Sequence, residues 1–159
     1  MGADELWVES YQGEVIGEAW FGLLAERQDD PVRRHHLQVL TLLERATKEL
    51  AEPVFDWRAL DRGDTATSIA NAKDLADGDA GMTWDQFLEL LVSLTNEFLV
   101  KYRQLVELSG EERERQIAEA YVAHEEAIAT FARRSLELED GEPLEAILAL
   151  PHVTAASRT

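Results

Sequence analysis

The run Tyr121-Val122-Ala123-His124-Glu125-Glu126 lies near the middle of residues 110–138, the segment whose pattern decides the fold. Apolar residues recur there at intervals of three and four positions, which is typical of an amphipathic helix. The buried stripe of this helix is predicted to contain Ile117, Ala120, Tyr121, His124, Ile128 and Phe131. His124 lies near the centre of the stripe and Glu125 near its edge. The segment therefore predicts a long helix with a histidine in its buried face and a carboxylate beside it.

A first helix, from about Asp4 to residue 28, is the natural partner of this segment. Its broad apolar face is made of Trp7, Val8, Tyr11, Val15, Ala19, Gly22 and Ala25. Glu18 falls inside this face and Glu14 at its edge. Trp20, Phe21 and Leu24 fall outside it, and a helix that is apolar on nearly all sides must be covered twice. The second cover is predicted to be either the later crossover segment or another subunit.

A second helix is predicted to begin at Pro31, with Asp30 as its cap, after a very short connection. It is expected to end near Ala51, before Pro53. Its inward stripe is Val32, His36, Val39, Leu40, Leu43, Thr47 and Leu50. Glu44 lies on the flank of that stripe.

Residues 52–82 break the pattern and are interpreted as a packed crossover with one short helix at 65–76. Thr83 and Gln86 then fit a capping box that opens a third helix, which runs to about Leu108. Residues 109–112 fit a second capping box before the fourth helix. A short helix at 143–150 and a fraying tail at 152–159 complete the prediction.

The connection lengths indicate the architecture. Short, long and short connections between four amphipathic helices predict two antiparallel hairpins joined by a crossover, the connectivity of ferritin-like four-helix bundles. We therefore expect one all-α domain of 159 residues.

The amino-acid composition argues against several classes of function. The chain has no cysteine, which excludes disulfides and thiolate chemistry. Its net charge of -17 disfavours binding to nucleic acids and to anionic membranes. It shows no secretory signal and no apolar run long enough to span a bilayer, so a cytoplasmic protein is expected.

Acidic and histidine side chains are predicted to meet in one layer of the bundle. Glu18 and His124 lie at the midpoints of their helices, Glu44 slightly past the midpoint of its helix, and Glu125 beside His124. Carboxylates and an imidazole on rigid helices are what an iron or manganese site needs.

The segments 11–18 and 121–125 resemble the ferritin-like superfamily, which includes rubrerythrin-like and other di-iron carboxylate proteins. The resemblance covers the four long helices. It implies one Glu from each of two helices and Glu-x-x-His from each of the other two. Glu18 and Glu44 match the glutamates of the first two helices, and His124 matches the histidine of the fourth.

The chain departs from the family pattern at three positions. Thr47 replaces the histidine of the second helix, and Tyr121 replaces the glutamate of the fourth helix. Thr95 is the polar residue on the inner face of the third helix. A six-ligand di-iron site is therefore not expected. A reduced site with one metal, held by Glu18, His124 and one or both of Glu44 and Glu125, is the hypothesis.

These residues lead to two hypotheses about function. The first is an iron- or manganese-dependent oxidoreductase, with Tyr11 or Tyr121 supporting the ligands. The alternative is a metal-free bundle, with Glu18 bonded to His124 or to a tyrosine. It would act as a small-molecule binder or as a homodimer through the outer face of the first helix, which carries Trp20, Phe21 and Leu24.

Overall fold

The computed structural model describes residues 1–158 and is all-α, which confirms the predicted fold class. Within this part of the chain there are seven helices and no strand. Their bounds are α1 Ala3–Arg27, α2 Pro31–Arg58, α3 Thr65–Gly78, α4 Trp84–Leu108, α5 Glu112–Ser135, α6 Glu145–Leu148 and α7 Pro151–Ala156. The helices α1, α2, α4 and α5 are the four long helices that the sequence predicts.

The helices group into two compact units. The first unit is Met1–Gly81, and the second begins at Met82. In the first, α1 packs against α2 and α3; in the second, α4 packs against α5, and α5 contacts α6. The short connections at residues 28–30 and 109–111 each join a packed helix pair, as expected. The ferritin-like arrangement of all four long helices remains a prediction.

The crossover provides a second cover for the apolar surface of α1. The Trp20 indole donates a hydrogen bond to Asp79, just after α3, at 3.0 Å. One turn into α3, the Ser68 hydroxyl donates to the Gln12 side chain at 2.6 Å. Trp20 and Phe21 are buried, and Leu24 is half-buried. Of the two covers that the sequence left open, the crossover is therefore the one that contacts Trp20.

The helix α2 continues through Pro53 to Arg58, so its predicted end near Ala51 is wrong. A proline inside a helix removes one backbone hydrogen bond and costs about 3 kcal/mol. The neighbouring Val54 and Phe55 are buried. Burial of a large apolar side chain contributes about 1.5–3 kcal/mol, so the packing of these residues outweighs the local cost of the proline.

Replacing Pro53 with alanine is expected to stabilise the protein. Pro53 is exposed, and the substitution restores a helical hydrogen bond at little cost in packing. A gain of about 1–2 kcal/mol in the free energy of unfolding is expected after the entropy gained by the unfolded chain is subtracted. Urea denaturation measures it. Pro31→Ala is the matched control, because the first position of α2 has no such bond to regain. A lower stability for Pro53→Ala would contradict this account.

The helix ends of the second unit show one confirmed cap and one wrong prediction. The Gln86 N–H donates to the Thr83 hydroxyl, and the Thr83 N–H donates to the Gln86 side chain, which forms the predicted capping box. The capping box predicted at 109–112 is wrong. The Ser109 hydroxyl instead donates to the Leu105 carbonyl at 2.7 Å, an acceptor left over at the end of α4.

The segment after α5 also differs from the prediction. α6 has four residues rather than the whole of 143–150, and α7 occupies part of the segment predicted to fray. Pro151 stands at the first position of α7, where its fixed φ suits a helix. Val153 is buried. Pro151 therefore begins a helix that continues into the segment predicted to fray.

Candidate functional site

The helix α5 carries His124 and Glu125 on its buried side. Ile128 and Phe131, on the same stripe, are buried, which confirms the predicted face. His124 is 0% exposed and Glu125 is 5% exposed, so the carboxylate predicted at the edge of the stripe lies inside. A buried imidazole next to a buried carboxylate requires a proton or a cation to balance the charge.

Two tyrosine rings hold the imidazole of His124 in place. The Tyr121 ring meets it edge to face, with the ring centroids 5.5 Å apart. Tyr102, from α4, lies 5.7 Å from the imidazole and 5.1 Å from the Tyr121 ring, centroid to centroid. All three side chains are buried. These contacts restrict the imidazole to one orientation.

The backbone fixes which nitrogen of His124 carries its proton. Nδ1 is hydrogen-bonded to the carbonyl oxygen of Tyr121. Because a carbonyl can only accept, Nδ1 is the donor, and in the neutral ring Nε2 presents a lone pair. Metal-binding histidines usually have this arrangement, with the second nitrogen bonded to a carbonyl or a carboxylate.

The Nε2 atom of His124 lies 3.4 Å from Oε1 of Glu125. A charge-assisted N–H···O bond is about 2.7–2.9 Å long, so this separation is long for a shared proton. Two ligands at about 2.1 Å from one ion lie about 3.0 Å apart at the octahedral angle usual for manganese, and about 3.4 Å apart at a tetrahedral angle. The spacing therefore suits a cation between the two atoms better than a direct hydrogen bond.

Thr47 and Thr95 are the threonines predicted on the inner faces of α2 and α4. Both hydroxyls are hydrogen-bonded to the backbone of their own helix. The Thr47 hydroxyl donates to the Leu43 carbonyl at 2.8 Å. The Thr95 hydroxyl donates to the Val92 carbonyl at 3.0 Å. Such bonds to the preceding turn are usual for a threonine inside a helix. The residues of this chain therefore do not fit the six-ligand set of a di-iron protein, whereas His124 and Glu125 fit a site with one metal.

Glu14, and not Glu18, is the fully buried carboxylate of α1. Glu14 is 1% exposed, whereas 20% of the Glu18 side chain is exposed. The helical pattern predicted the reverse, with Glu18 inside the apolar face and Glu14 at its edge. α1 packs against both α2 and α3, so its buried surface is wider than one stripe. The periodicity of a single stripe could not predict which acid is enclosed.

Glu18 is held by two cations of α2. Arg45 donates to its Oε1 at 2.8 Å, and Lys48 donates to its Oε2 at 2.5 Å. Partial burial raises the pKa of Glu18, but the hydrogen bonds from Lys48 and Arg45 outweigh this effect and lower the pKa below its ordinary value. The structure thus places this predicted metal ligand in ion pairs within the first unit.

Glu18→Gln is expected to lower the free energy of unfolding by about 0.5–1 kcal/mol at neutral pH, since partly exposed ion pairs contribute little. The folded-state pKa of Glu18 is depressed, so its contribution is complete above the ordinary glutamate pKa and is lost as pH falls through the folded value. The difference between wild type and variant should therefore shrink as the pH falls from neutral into the acidic range below the ordinary glutamate pKa. Urea denaturation across this range measures it, with the exposed Glu26→Gln as control. A difference that does not change with pH would contradict the assignment.

Glu44 is enclosed against α1. It is 6% exposed, although the helical pattern placed it on the flank of the stripe. Its side chain lies over Gly17, where a Cβ would come within 2.8 Å of the Glu44 carboxyl carbon. The missing side chain at Gly17 therefore makes the room that Glu44 occupies.

Of the two tyrosines predicted to support the ligands, Tyr121 is the one that contacts His124. Tyr11 instead donates its hydroxyl proton to Glu52 at 2.7 Å, and Glu52 also accepts from Arg62. Burial, followed by the hydrogen bond to the Glu52 carboxylate, raises the pKa of Tyr11 to about 12. Tyr11 is therefore part of a network that ties α1 to the end of α2.

His152 lies in the tail that was predicted to fray, where α7 is found. Burial and, second, an electrostatic effect of His124 lower the pKa of His152 to about 4. The ring is therefore neutral at physiological pH. The signal that could have found this residue was Pro151, read as a helix start.

Comparison of the chain with models of known protein families, with curated proteins and with solved structures gave no match. None of the helices in residues 1–158 combines the length and the apolar character that a membrane crossing requires. The functional conclusion therefore depends on the geometry of the side chains.

Proposed function

We propose that this chain binds one divalent metal ion, iron or manganese, through Nε2 of His124 and the carboxylate of Glu125. The observation that supports this most directly is the 3.4 Å separation of these two buried atoms. The hydrogen bond from Nδ1 to the Tyr121 carbonyl leaves Nε2 as the binding nitrogen. Imidazole and carboxylate together form a donor set that suits iron and manganese.

In this proposal the fold is ferritin-like, and α1 and α2 carry the other acids that the sequence predicts as ligands. Glu14 and Glu44 are enclosed carboxylates of these helices. Glu18 would have to leave Arg45 and Lys48 in order to bind a metal. We therefore place Glu14 and Glu44 ahead of Glu18 as ligands, and variants of each acid to glutamine decide between them.

The proposed class of activity is a cytoplasmic oxidoreductase. Iron or manganese supplies one-electron chemistry when bound at such a site. The chain's own residues bind the ion and fix the imidazole tautomer. Tyr102 and Tyr121 keep water away from His124 by burying it. The shape of the route from solvent to His124 and Glu125 would determine which substrates reach the ion.

Stabilisation by metal tests the proposal. A ligand that binds only the folded state stabilises it by about 2.7 kcal/mol when its free concentration is 100 times Kd. Ferrous ion under anaerobic conditions, or manganous ion, is expected to raise the Tm of the wild type and not that of Glu125→Gln. Zinc ion is tested in parallel and shows whether the site prefers iron or manganese over zinc. No shift with any of the three ions would contradict metal binding.

The second candidate is a metal-free protein in which a proton takes the place of the ion. The same pair, His124 and Glu125, would then form a buried imidazolium–carboxylate ion pair within α5. Under this alternative, metals leave the Tm unchanged. A homodimer formed through the outer face of α1 belongs to this candidate. Leu24 is the half-buried residue of that face, and light scattering of the purified protein tests it.

A further inference from the structure

A groove of about 420 Å³ lies between the end of α1 and the first half of α2. Arg45 borders one end of the groove and donates to Glu18 of α1. Arg34 borders the other end and donates to the Gln28 carbonyl. The two helices therefore run antiparallel along the groove, and both walls belong to the first compact unit. Sites for small molecules usually have volumes of about 300–1,000 Å³, so the groove is large enough for one.

The floor of the groove is made of small and apolar residues. Gly22 and Ala25 of α1 and Leu42 of α2 contribute to it. A Cβ at position 22 would meet only Thr41 Cγ2, at 3.8 Å. The groove is therefore open where α1 lacks a side chain, and this floor suits an aliphatic group of a ligand.

The two walls of the groove carry opposite charges. Glu26 and Asp29 line it from the side of α1, and Arg34 and Arg45 line it from α2. Glu26 is exposed, and within residues 1–158 no hydrogen bond or ion pair engages its carboxylate. A ligand with a single charge is repelled by one of the two walls. A ligand with one carboxylate and one ammonium group complements both walls.

Arg45 is the cation of the groove that is best prepared to bind a carboxylate. Its Nε donates to Glu18 Oε1 at 2.8 Å, and Lys48 holds the other oxygen of Glu18. In the part of the chain that the structure describes, no protein acceptor pairs with the two terminal nitrogens of Arg45. A guanidinium offers N–H groups in a fixed fork that matches the two oxygens of a carboxylate. Glu18 therefore orients Arg45 and leaves its binding edge available.

The spacing of the charges indicates an extended ligand. Arg45 lies at the level of Glu18, and Glu26 follows Glu18 by eight residues in α1. Eight residues correspond to about 12 Å along a helix axis, of which the side chains of Arg45 and Glu26 span only a part. The two charged groups of an α-amino acid are attached to one carbon and are too close together to reach both. An aliphatic chain between the carboxylate and the ammonium group fills the distance and lies over Gly22.

We propose that this groove binds a small linear ω-amino acid. Arg45 binds the carboxylate, Glu26 binds the ammonium group, and the aliphatic chain lies on the floor at Gly22. The site uses neither His124 nor Glu125, so this inference goes beyond the proposed function and does not depend on it.

Isothermal titration calorimetry of the full chain with 6-aminohexanoate tests the inference at physiological ionic strength, which screens general attraction to the acidic chain. Hexanoate and hexylamine are the matched ligands that lack one charge, and leucine places both charges on one carbon. We expect 6-aminohexanoate to bind at least about tenfold more tightly than each of the three, because a hydrogen bond to a charged group contributes about that much. Equal binding of any of the three, or a Kd above about 10 mM for 6-aminohexanoate, would overturn the inference.

Two substitutions locate the ligand in the groove. Arg45→Lys keeps a positive charge beside Glu18 but lacks the fork of N–H groups, and Gly22→Leu fills the floor with a residue that favours a helix. Each is expected to weaken binding of 6-aminohexanoate by about tenfold or more. Gly78→Leu is the control, because a Cβ there meets no atom within 4 Å, and it should bind as the wild type does. Wild-type affinity in Arg45→Lys or in Gly22→Leu would overturn the site and leave the proposed metal site unaffected.

Discussion

His124→Ala is expected to weaken metal binding by more than about 100-fold, because residues that only orient a ligand already contribute about 10–100-fold. His124 supplies the imidazole nitrogen of the proposed site, and its Nε2 lies 3.4 Å from Glu125. Glu125→Gln should show a similar loss, because the amide has the shape of the carboxylate without its charge. Equilibrium dialysis with manganous ion compares the two variants with the wild type.

The control for His124→Ala must account for the cavity that the substitution leaves. His124 is fully buried, so the alanine variant loses stability as well as a ligand. Ile128→Ala, one turn later on the same buried face, loses stability by about 2–5 kcal/mol without losing a ligand. Equal losses of metal affinity in His124→Ala and Ile128→Ala would contradict the assignment of His124.

Trp20→Ala is expected to lower the free energy of unfolding by about 3–5 kcal/mol, the usual cost of removing a buried tryptophan. Trp20 is buried, and its indole donates to Asp79 after α3. The substitution therefore removes both packing and a hydrogen bond that joins α1 to the crossover. Trp20→Phe keeps most of the packing and should cost about 1 kcal/mol for the bond to Asp79.

Urea denaturation and light scattering together test the role of Trp20. The predicted interface between two subunits would make Trp20→Ala a monomer of nearly unchanged stability. If the crossover covers Trp20 within the same chain, Trp20→Ala instead loses stability whatever its oligomeric state. A loss below about 1 kcal/mol, together with dissociation of a wild-type dimer, would contradict the assignment of Trp20 to the crossover contact.

The helix ends that could be predicted are those that a side chain caps locally. Asp30 accepts from the Arg33 N–H at the start of α2, and Thr83 and Gln86 cap α4, both as predicted. The ends of α2 and α7 could not be predicted in this way. Pro53 is kept inside α2 by the packing of its neighbours, and Pro151 begins a helix whose Val153 is buried. Both outcomes depend on contacts that local sequence does not contain.

Part of the candidate site could also be predicted from local sequence. A histidine in the middle of an apolar stripe is visible in the sequence, and His124 is indeed fully buried. The burial of Glu14 instead of Glu18 could not be predicted, because a helical pattern assumes one covered face and α1 packs against two helices. The tautomer of His124 was also beyond the sequence, since it depends on the carbonyl of Tyr121.

The most direct measurement counts the metal bound to the wild-type chain, purified without chelator or histidine tag, by inductively coupled plasma mass spectrometry. We expect about one equivalent of iron or manganese per chain, retained through gel filtration. Less than about one tenth of an equivalent, even after anaerobic loading with ferrous ion, would contradict the proposed metal site. The pair of His124 and Glu125 would then be an ion pair that holds a proton.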